Sequence, residues 1–402
     1  MCEEGVVITR RSLLRAGWRA LATTGIAGAL PTFHQRTAAA KTGAFDRALV
    51  CIYLFGGNDS NNLIVPMERS QYDTYARTRG NLAVPFDALL PVTAARSQRA
   101  YGFHPALAEL RDLYNSRVLA VIANVGSLAQ PVTKAAYLAG TAALPGDWMR
   151  HNDESLGYLP GGFAVPGWAA RLAGLKLTAP NPNALAFDSG TSMVLPAGFR
   201  LPPEEEPNAL LARAMAGAAH WITRFPATSL GRQLQQVASL LQAGPQMGMS
   251  QQICFCPLGG FDTHIEQAGR QAASFRQLSE AMAAFYDATV EMGIAQRVIT
   301  FTETEFNRTL LPNRKNGTEH GWGGHQIVMG GPVLGGDVYG DFPALALNGP
   351  DDAGAAGVWI PTTSKDQVAA TLANWFGVRL ADLPGLLPRL GSFRAPTLEF
   401  LT

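Results

Sequence analysis

The chain has 402 residues, 47% of them hydrophobic and 16% charged, with a formal net charge of +1 at pH 7. That length and apolar content suffice for one large core, and a charge so close to zero gives no reason to expect nucleic acid or an anionic membrane as a partner. After residue 40 no stretch reaches the roughly 18 uninterrupted apolar residues that a membrane helix needs.

The first 40 residues read as an address and not as part of the fold. Thr9-Arg10-Arg11-Ser12-Leu13-Leu14 is a twin-arginine pattern, followed by an apolar stretch from Ala16 to Leu30 and by Ala38-Ala39-Ala40, a suitable cleavage site. Such signals hand folded proteins to the twin-arginine translocation machinery, so a periplasmic or secreted location is expected. The mature chain, 41–402, keeps 27 basic against 29 acidic residues, a net −2. It reads as one α/β domain. Cys51, Cys254 and Cys256 sit in or beside apolar runs, where cysteine usually acts as a small buried hydrophobe.

Apolar runs at 48–55, 118–126, 252–257, 297–302 and 327–331 predict buried strands. Helical periodicity appears at 104–117, 266–293 and 365–376, with shorter helices at 133–139 and 166–175. Residues 127–165 are rich in Gly, Pro, Ser, Thr and Asn and predict long loops; 176–206 is Pro-rich and irregular; 208–243 reads as a small helical insertion. Strand–loop–helix alternation predicts a doubly wound, mostly parallel sheet flanked by helices. Right-handed crossovers would then gather the strand C-termini at one edge.

Three of those strands end in Gly plus an acid. They run into FGGNDSNN at 55–62, GGFDTH at 259–264 and ETEFNRTLLPNRKNGTEHGWGGH at 303–325. Loops at the carboxyl ends of strands are where an α/β sheet builds its site. Three of the seven histidines fall in the last two loops, a clustering that favours a site over scattered turn residues. Asp59, Asp262, His264, Glu303, Glu305, Glu319, His320 and His325 offer mixed carboxylate and imidazole donors. Such a set suits zinc, manganese or iron, or magnesium or calcium where carboxylates dominate. Asp59 could equally cap a helix. Arg308 either holds an oxyanion or pairs with Glu303 or Glu305. No Gly-x-Ser-x-Gly elbow is present. Ser127 and Thr133 are hydroxyl candidates near a helix start, with a plain N-cap as the alternative for Thr133. His151-Asn152-Asp153-Glu154 is a further polar knot that could add a ligand or a proton donor.

FGGNDSNNLIVP, FHPALAELRDLYNSRVLAVIANVG, GGFDTH and TETEFNRT…NGTEHGWGGHQIVMGGPVLGG together resemble a bacterial family of often twin-arginine-exported proteins, domain of unknown function 1501. That family looks like a branch of the alkaline-phosphatase-like and sulfatase-like superfamily. The resemblance implies an alkaline-phosphatase-like fold with metal ligands in loops at strand ends. It implies a metal-binding Asp after the first strand, matched by Asp59, and a Ser or Thr nucleophile at a helix start, matched by Thr133. Next come an Asp and His together, matched by Asp262 and His264, and an acid after the following strand, matched by Glu305. Phe306 stands where a His often follows that acid. A last His precedes the final strand, matched by His320 or His325. The family more often has Gly after Glu-Phe, where Asn307 stands, and Asp before His, where Glu319 stands. The implied activity is metal-dependent hydrolysis of a phosphate, sulfate or related anionic ester, with a small-molecule or glycan-type substrate. Arg308 would hold the transferring group. The alternative is a catalytically inactive secreted binding or assembly protein on the same fold.

Overall fold

The computed structural model describes residues 46–145, 148–151, 156–159, 163–174, 183–187, 193–194, 216, 221–247 and 251–402; the twin-arginine segment lies outside them. In chain order the elements are β1 (Arg47–Leu54), β2 (Ile64–Pro66), α1 (Arg69–Arg79), β3 (Leu90–Thr93), β4 (Ala100–Phe103), α2 (Ala108–Asn115), β5 (Leu119–Gly126) and α3 (Lys134–Leu138). There follow β6 (Leu156–Leu159), β7 (Phe163–Pro166), α4 (Gly167–Gly174), β8 (Asn183–Phe187), β9 (Met193–Val194) and α5 (Ser229–Ala243). The last are β10 (Gln251–Leu258), α6 (Gln267–Glu291), β11 (Val298–Glu303), β12 (Gly324–Gly330), β13 (Val338–Tyr339), β14 (Thr363–Ser364), α7 (Lys365–Phe376) and α8 (Leu383–Leu386).

The main sheet runs β13-β5-β12-β11-β1-β10-β8-β9, with β14 also on β5. β1 is parallel to both β11 and β10. Its alternate residues divide between two cores, as a strand buried on both faces must. Val50, Ile52 and Leu54 join Leu234 and Val237 of α5 and Phe275, Leu278 and Phe285 of α6 on one face. Leu49, Cys51 and Tyr53 join Leu172 of α4 and Val368, Leu372 and Phe376 of α7 on the other. The sheet is thus mostly parallel and flanked by helices on both sides.

Three features differ from the sequence reading. First, α5, a described part of the expected insertion, packs in the main core through Leu230, Leu234, Val237 and Leu241. Of the expected insertion, residues 208–215 and 217–220 fall outside the described residues. Second, β12 is antiparallel to both neighbours, β11 and β5. The loop 304–323 turns straight back along the same edge, which needs no crossover helix. Third, β2, β4 and β3 form a small separate antiparallel sheet. IVP, LPVT and AYGF are too short, and too broken by Pro and Gly, to show a strand period.

Because β12 runs against both β11 and β5, β5 is parallel to β11 and β1. The C-termini of β1, β10, β11 and β5 therefore share one edge with the N-terminus of β12. The loops 55–62, 259–266, 304–323 and 127–145 all leave or enter there.

His104 shows how burial sets pH behaviour in this fold. It caps the turn Pro105–Leu107, its Nδ1 accepting from the Ala106 N–H at 3.1 Å, with Phe275 against its ring. Burial, helped by the charge of Arg276, pulls its pKa down from 6.5 to about 4. A depressed imidazole contributes stability that is present above the unfolded value and is lost as pH falls from about 6.5 to about 4. At about 1.36 kcal/mol per unit the loss is on the order of 3 kcal/mol. Denaturant midpoints at pH 7 and pH 5 should therefore differ. His104→Asn, which keeps an acceptor for the Ala106 N–H but does not titrate there, should show a smaller difference.

Candidate metal centre

Two glycines after β1 start the site. Gly56 and Gly57 have φ of +112° and +81°, a region that L side chains avoid. A Cβ on Gly56 would lie 2.2 Å from the Asp262 nitrogen, and one on Gly57 2.2 Å from the Phe306 ring. The turn thus lets the β1, β10 and β11 loops touch. Its N–H groups receive the Glu305 carboxylate: Gly56 N donates to Oε1 and Oε2 at 3.0 Å each, and Gly57 N to Oε2 at 3.1 Å.

Arg308 closes the same turn from the carbonyl side. It is wholly buried. Nε donates to the Gly57 carbonyl at 3.1 Å and one terminal nitrogen to the Thr318 carbonyl at 3.0 Å. The other donates to the Gly56 carbonyl and to Asp262 Oδ1. Burial by itself would raise the Asp262 carboxyl, but the hydrogen bond and charge of Arg308, with lesser help from His264 and His151, hold it below the usual carboxylate value.

Around Asp262 stand three histidines with one pattern. Nδ1 of His264 is 3.0 Å from Glu319 Oε2, Nδ1 of His320 is 2.9 Å from the Met149 carbonyl, and Nδ1 of His151 is 3.6 Å from Glu305 Oε1. Each Nδ1 therefore faces an oxygen that accepts. Their Nε2 atoms face inward. That of His264 is 3.2 Å from Asp262 Oδ1 and 3.3 Å from His320 Nε2, and that of His151 is 4.0 Å from Asp262 Oδ1. A neutral imidazole that donates through Nδ1 presents Nε2 as a lone pair. The inner atoms of His264, His320 and Asp262 are then acceptors facing acceptors.

Burial first, and then the charges of Arg308, His151 and His264, keep His320 below the usual imidazole value, against the upward pull of the Met149 carbonyl. Glu319 is held down by the hydrogen bond from Asn313 and, against some burial, by His264. His151, Asp262 and His320 each offer a ligand atom, all within 4.8 Å of one another. Imidazoles fixed by outer carboxylates or carbonyls, with nitrogen facing a carboxylate, are the donor set of a borderline transition-metal ion. The residues present fit such an ion.

The structure brings Asp262, His264, Glu305, Glu319 and His320 together. Glu305 and Glu319 stand behind histidines instead of facing inward. His151 joins them, and its signal was the polar knot in a Gly- and Pro-rich loop, of which residues 152–155 lie outside the described residues. Phe306 stacks on His320, centroids 4.2 Å apart, and so forms a wall where the superfamily pattern has a His.

Four other expected residues go elsewhere. Asp59 is almost fully buried; its Oδ2 pairs with the buried Arg79 and accepts from Gln267, and its Oδ1 accepts from Asn61. Both oxygens are spent on that network. His325 is buried against Phe342, with Nδ1 accepting from the Asn124 N–H at 3.2 Å, and burial lowers its pKa to about 3. It packs as a neutral core group. Thr133 is an exposed N-cap of α3, accepting from Ala136 N at 3.2 Å, with no contact to the cluster among the described residues. Arg308 has four of its five N–H donors bound inside the protein, so it props the site and does not reach a substrate. Trp322 is buried, stacks near Trp148, and donates to the Ser127 carbonyl.

Residues 193–354 match a family described as a protein of unknown function, DUF1501. That span, under half of the chain, contains every clustered residue except His151. No curated protein matches the chain in sequence. Among solved structures, the chain is similar to the C-terminal periplasmic domain of EcEptC from Escherichia coli in complex with Zn, at 8% identity and a TM-score of 0.30, covering 72% of this chain and 74% of that one. It is also similar to Ps i-CgsB in complex with k-i-k-neocarrahexaose, at 9% and 0.36, covering 87% and 77%. A protein of a Bacteroides thetaiotaomicron locus for metabolism of multiple glycosaminoglycans gives 8% and 0.33, covering 83% and 73%. Scores this low carry no detail of the site.

If Asp59 serves Arg79 and not an ion, Asp59→Ala leaves a buried guanidinium unpaired and should cost about 3–5 kcal/mol of stability. Denaturant melts would show that loss, while the metal content of the folded fraction should equal that of the wild type.

Proposed function

We propose that this protein is an exported metal-dependent hydrolase of the DUF1501 type, acting on a phosphate, sulfate or related anionic ester. The observation that carries the metal centre is the set of inward Nε2 atoms whose partner nitrogens are all turned outward onto oxygen. His151, Asp262 and His320 would hold the ion, with His264 as a fourth donor at the same point. Three histidines favour zinc, manganese or iron over the carboxylate-preferring magnesium and calcium. A divalent ion there would lower the pKa of water and screen the charge of ester oxygens. Glu305, Glu319 and the Met149 carbonyl orient the imidazoles, and Arg308 keeps Asp262 ionised. The ester class comes from the sequence resemblance, as does export to the periplasm or beyond through the twin-arginine machinery. Among the described residues no helix is long and apolar enough to cross a membrane.

One observation favours the second reading, a catalytically inactive secreted binding or assembly protein. The groups expected to attack and to hold the transferring group, Thr133 and Arg308, are both spent on local structure.

Elemental analysis of the purified mature protein separates the two in order. Near-stoichiometric zinc, manganese or iron, lost in His320→Ala and Asp262→Ala, is the expected result. Hydrolysis of an aryl phosphate or aryl sulfate by the loaded protein would then support the enzyme. Metal without hydrolysis across such a panel would favour the binding role. A wild-type protein that stays metal-free after reloading would sink the metal centre itself.

A further inference from the structure

Asn313 touches none of the inward-facing atoms, yet it joins the two loops that carry His264 and His320. Its Oδ1 accepts from Lys315 N at 2.9 Å and from Gly317 N at 3.1 Å. Its Nδ2 donates to the His264 carbonyl at 2.9 Å and to Glu319 Oε1 at 2.7 Å. Two acceptor sites and two donor hydrogens are all an Asn has, and all four are used. The amide cannot be turned over, because that would set donor against donor and oxygen against oxygen. Three backbone bonds weld the same loops: Glu266 N to Lys315 O at 3.0 Å, Gln267 N to Asn316 O at 2.9 Å and Thr318 N to Thr263 O at 3.1 Å.

What the backbone bonds do not fix is the Glu319 side chain, which is 59% exposed. A free carboxylate at that exposure would sample several rotamers. Asn313 selects one by binding Oε1, and that choice places Oε2 3.0 Å from Nδ1 of His264.

We infer that Asn313 is a positioning residue of this centre: by holding Glu319 against Nδ1 of His264, it fixes the tautomer in which His264 Nε2 is a bare acceptor facing Asp262 and His320. The consequence for metal affinity rests on the metal-centre reading above; the tautomer does not. Outer partners of metal-binding histidines typically change affinity by about 10–100-fold.

Asn313→Asp is the informative variant. It keeps the oxygen that accepts from Lys315 and Gly317, so the turn survives, but it removes both donors and sets a second carboxylate against Glu319. Glu319→Ala removes the acceptor directly, and thermal melts of both check the fold. Nitrogen-15 NMR of the histidine rings, on metal-free protein at neutral pH, should show His264 protonated at Nδ1 in the wild type. In both variants it should show Nε2–H or a mixture. Titration with Co²⁺ should give affinities about 10–100-fold weaker than wild type. His264 held solely as the Nδ1–H form in both folded variants would overturn the proposal, as would Co²⁺ affinities within about twofold of a wild type that binds. A wild type that binds no Co²⁺ would count against the metal reading alone, and the ring-nitrogen spectra would still decide the role of Asn313.

Discussion

One buried guanidinium organises this edge of the sheet. Arg308 gathers the carbonyls of Gly56, Gly57 and Thr318 and the carboxylate of Asp262, which belong to three separate loops. Taking a guanidinium out of water is costly unless its donors are met, and here they are met almost entirely by backbone. The Gly56–Gly57 turn is held from both sides, its carbonyls by Arg308 and its N–H groups by Glu305. Neither glycine tolerates a side chain, since Asp262 and Phe306 occupy the space one would need. Position 308 therefore fixes where Asp262 and, through the turn, Glu305 can stand. The histidines arrange themselves around those two carboxylates.

This dependence explains which parts of the site the sequence made legible. The strands β1, β5, β10 and β11 are buried on both faces, so their apolar runs were continuous and their ends fell close to the expected positions. The convergence of their loops followed from parallel topology. Asp262, His264 and His320 could be read because Gly-bracketed loops after strands offer few structural uses for so many donors. The direction of a side chain could not be read. Glu305 and Glu319 look like ligands by type and place, and only the fold turns them behind His151 and His264. Asp59 obeyed every local rule for a ligand, yet its use is set by Arg79, which is 20 residues away in sequence and buried beside it. His325 lies on β12, whose reversal puts it against Phe342 and Asn124. An alternating strand pattern cannot show that reversal.

The outer oxygens deserve as much weight as the inner donors. Glu319, Glu305 and the Met149 carbonyl come from different segments, and they stand 2.9 to 3.6 Å from the outer histidine nitrogens. A chance cluster of polar side chains would satisfy its ring nitrogens in either sense. Here all three rings are turned the same way, with Nδ1 outward.

The charges of the cluster suit the proposed ion as well. With Asp262, Glu305 and Glu319 counted as formal carboxylates against Arg308, and the histidines neutral, the cluster carries a formal −2. Asp59 and Arg79 cancel as a buried pair and do not alter that sum. Glu305 and Arg308 are buried, while Asp262 and Glu319 are more than half exposed, so solvent screens part of that charge. Burial and the nearby guanidinium disfavour a charged imidazole at His320. The divalent cation proposed above would offset the negative charge without protonating any ring. The hydrogen bonds that turn the rings and the charge that surrounds them are thus two consequences of one arrangement, held in place by Arg308.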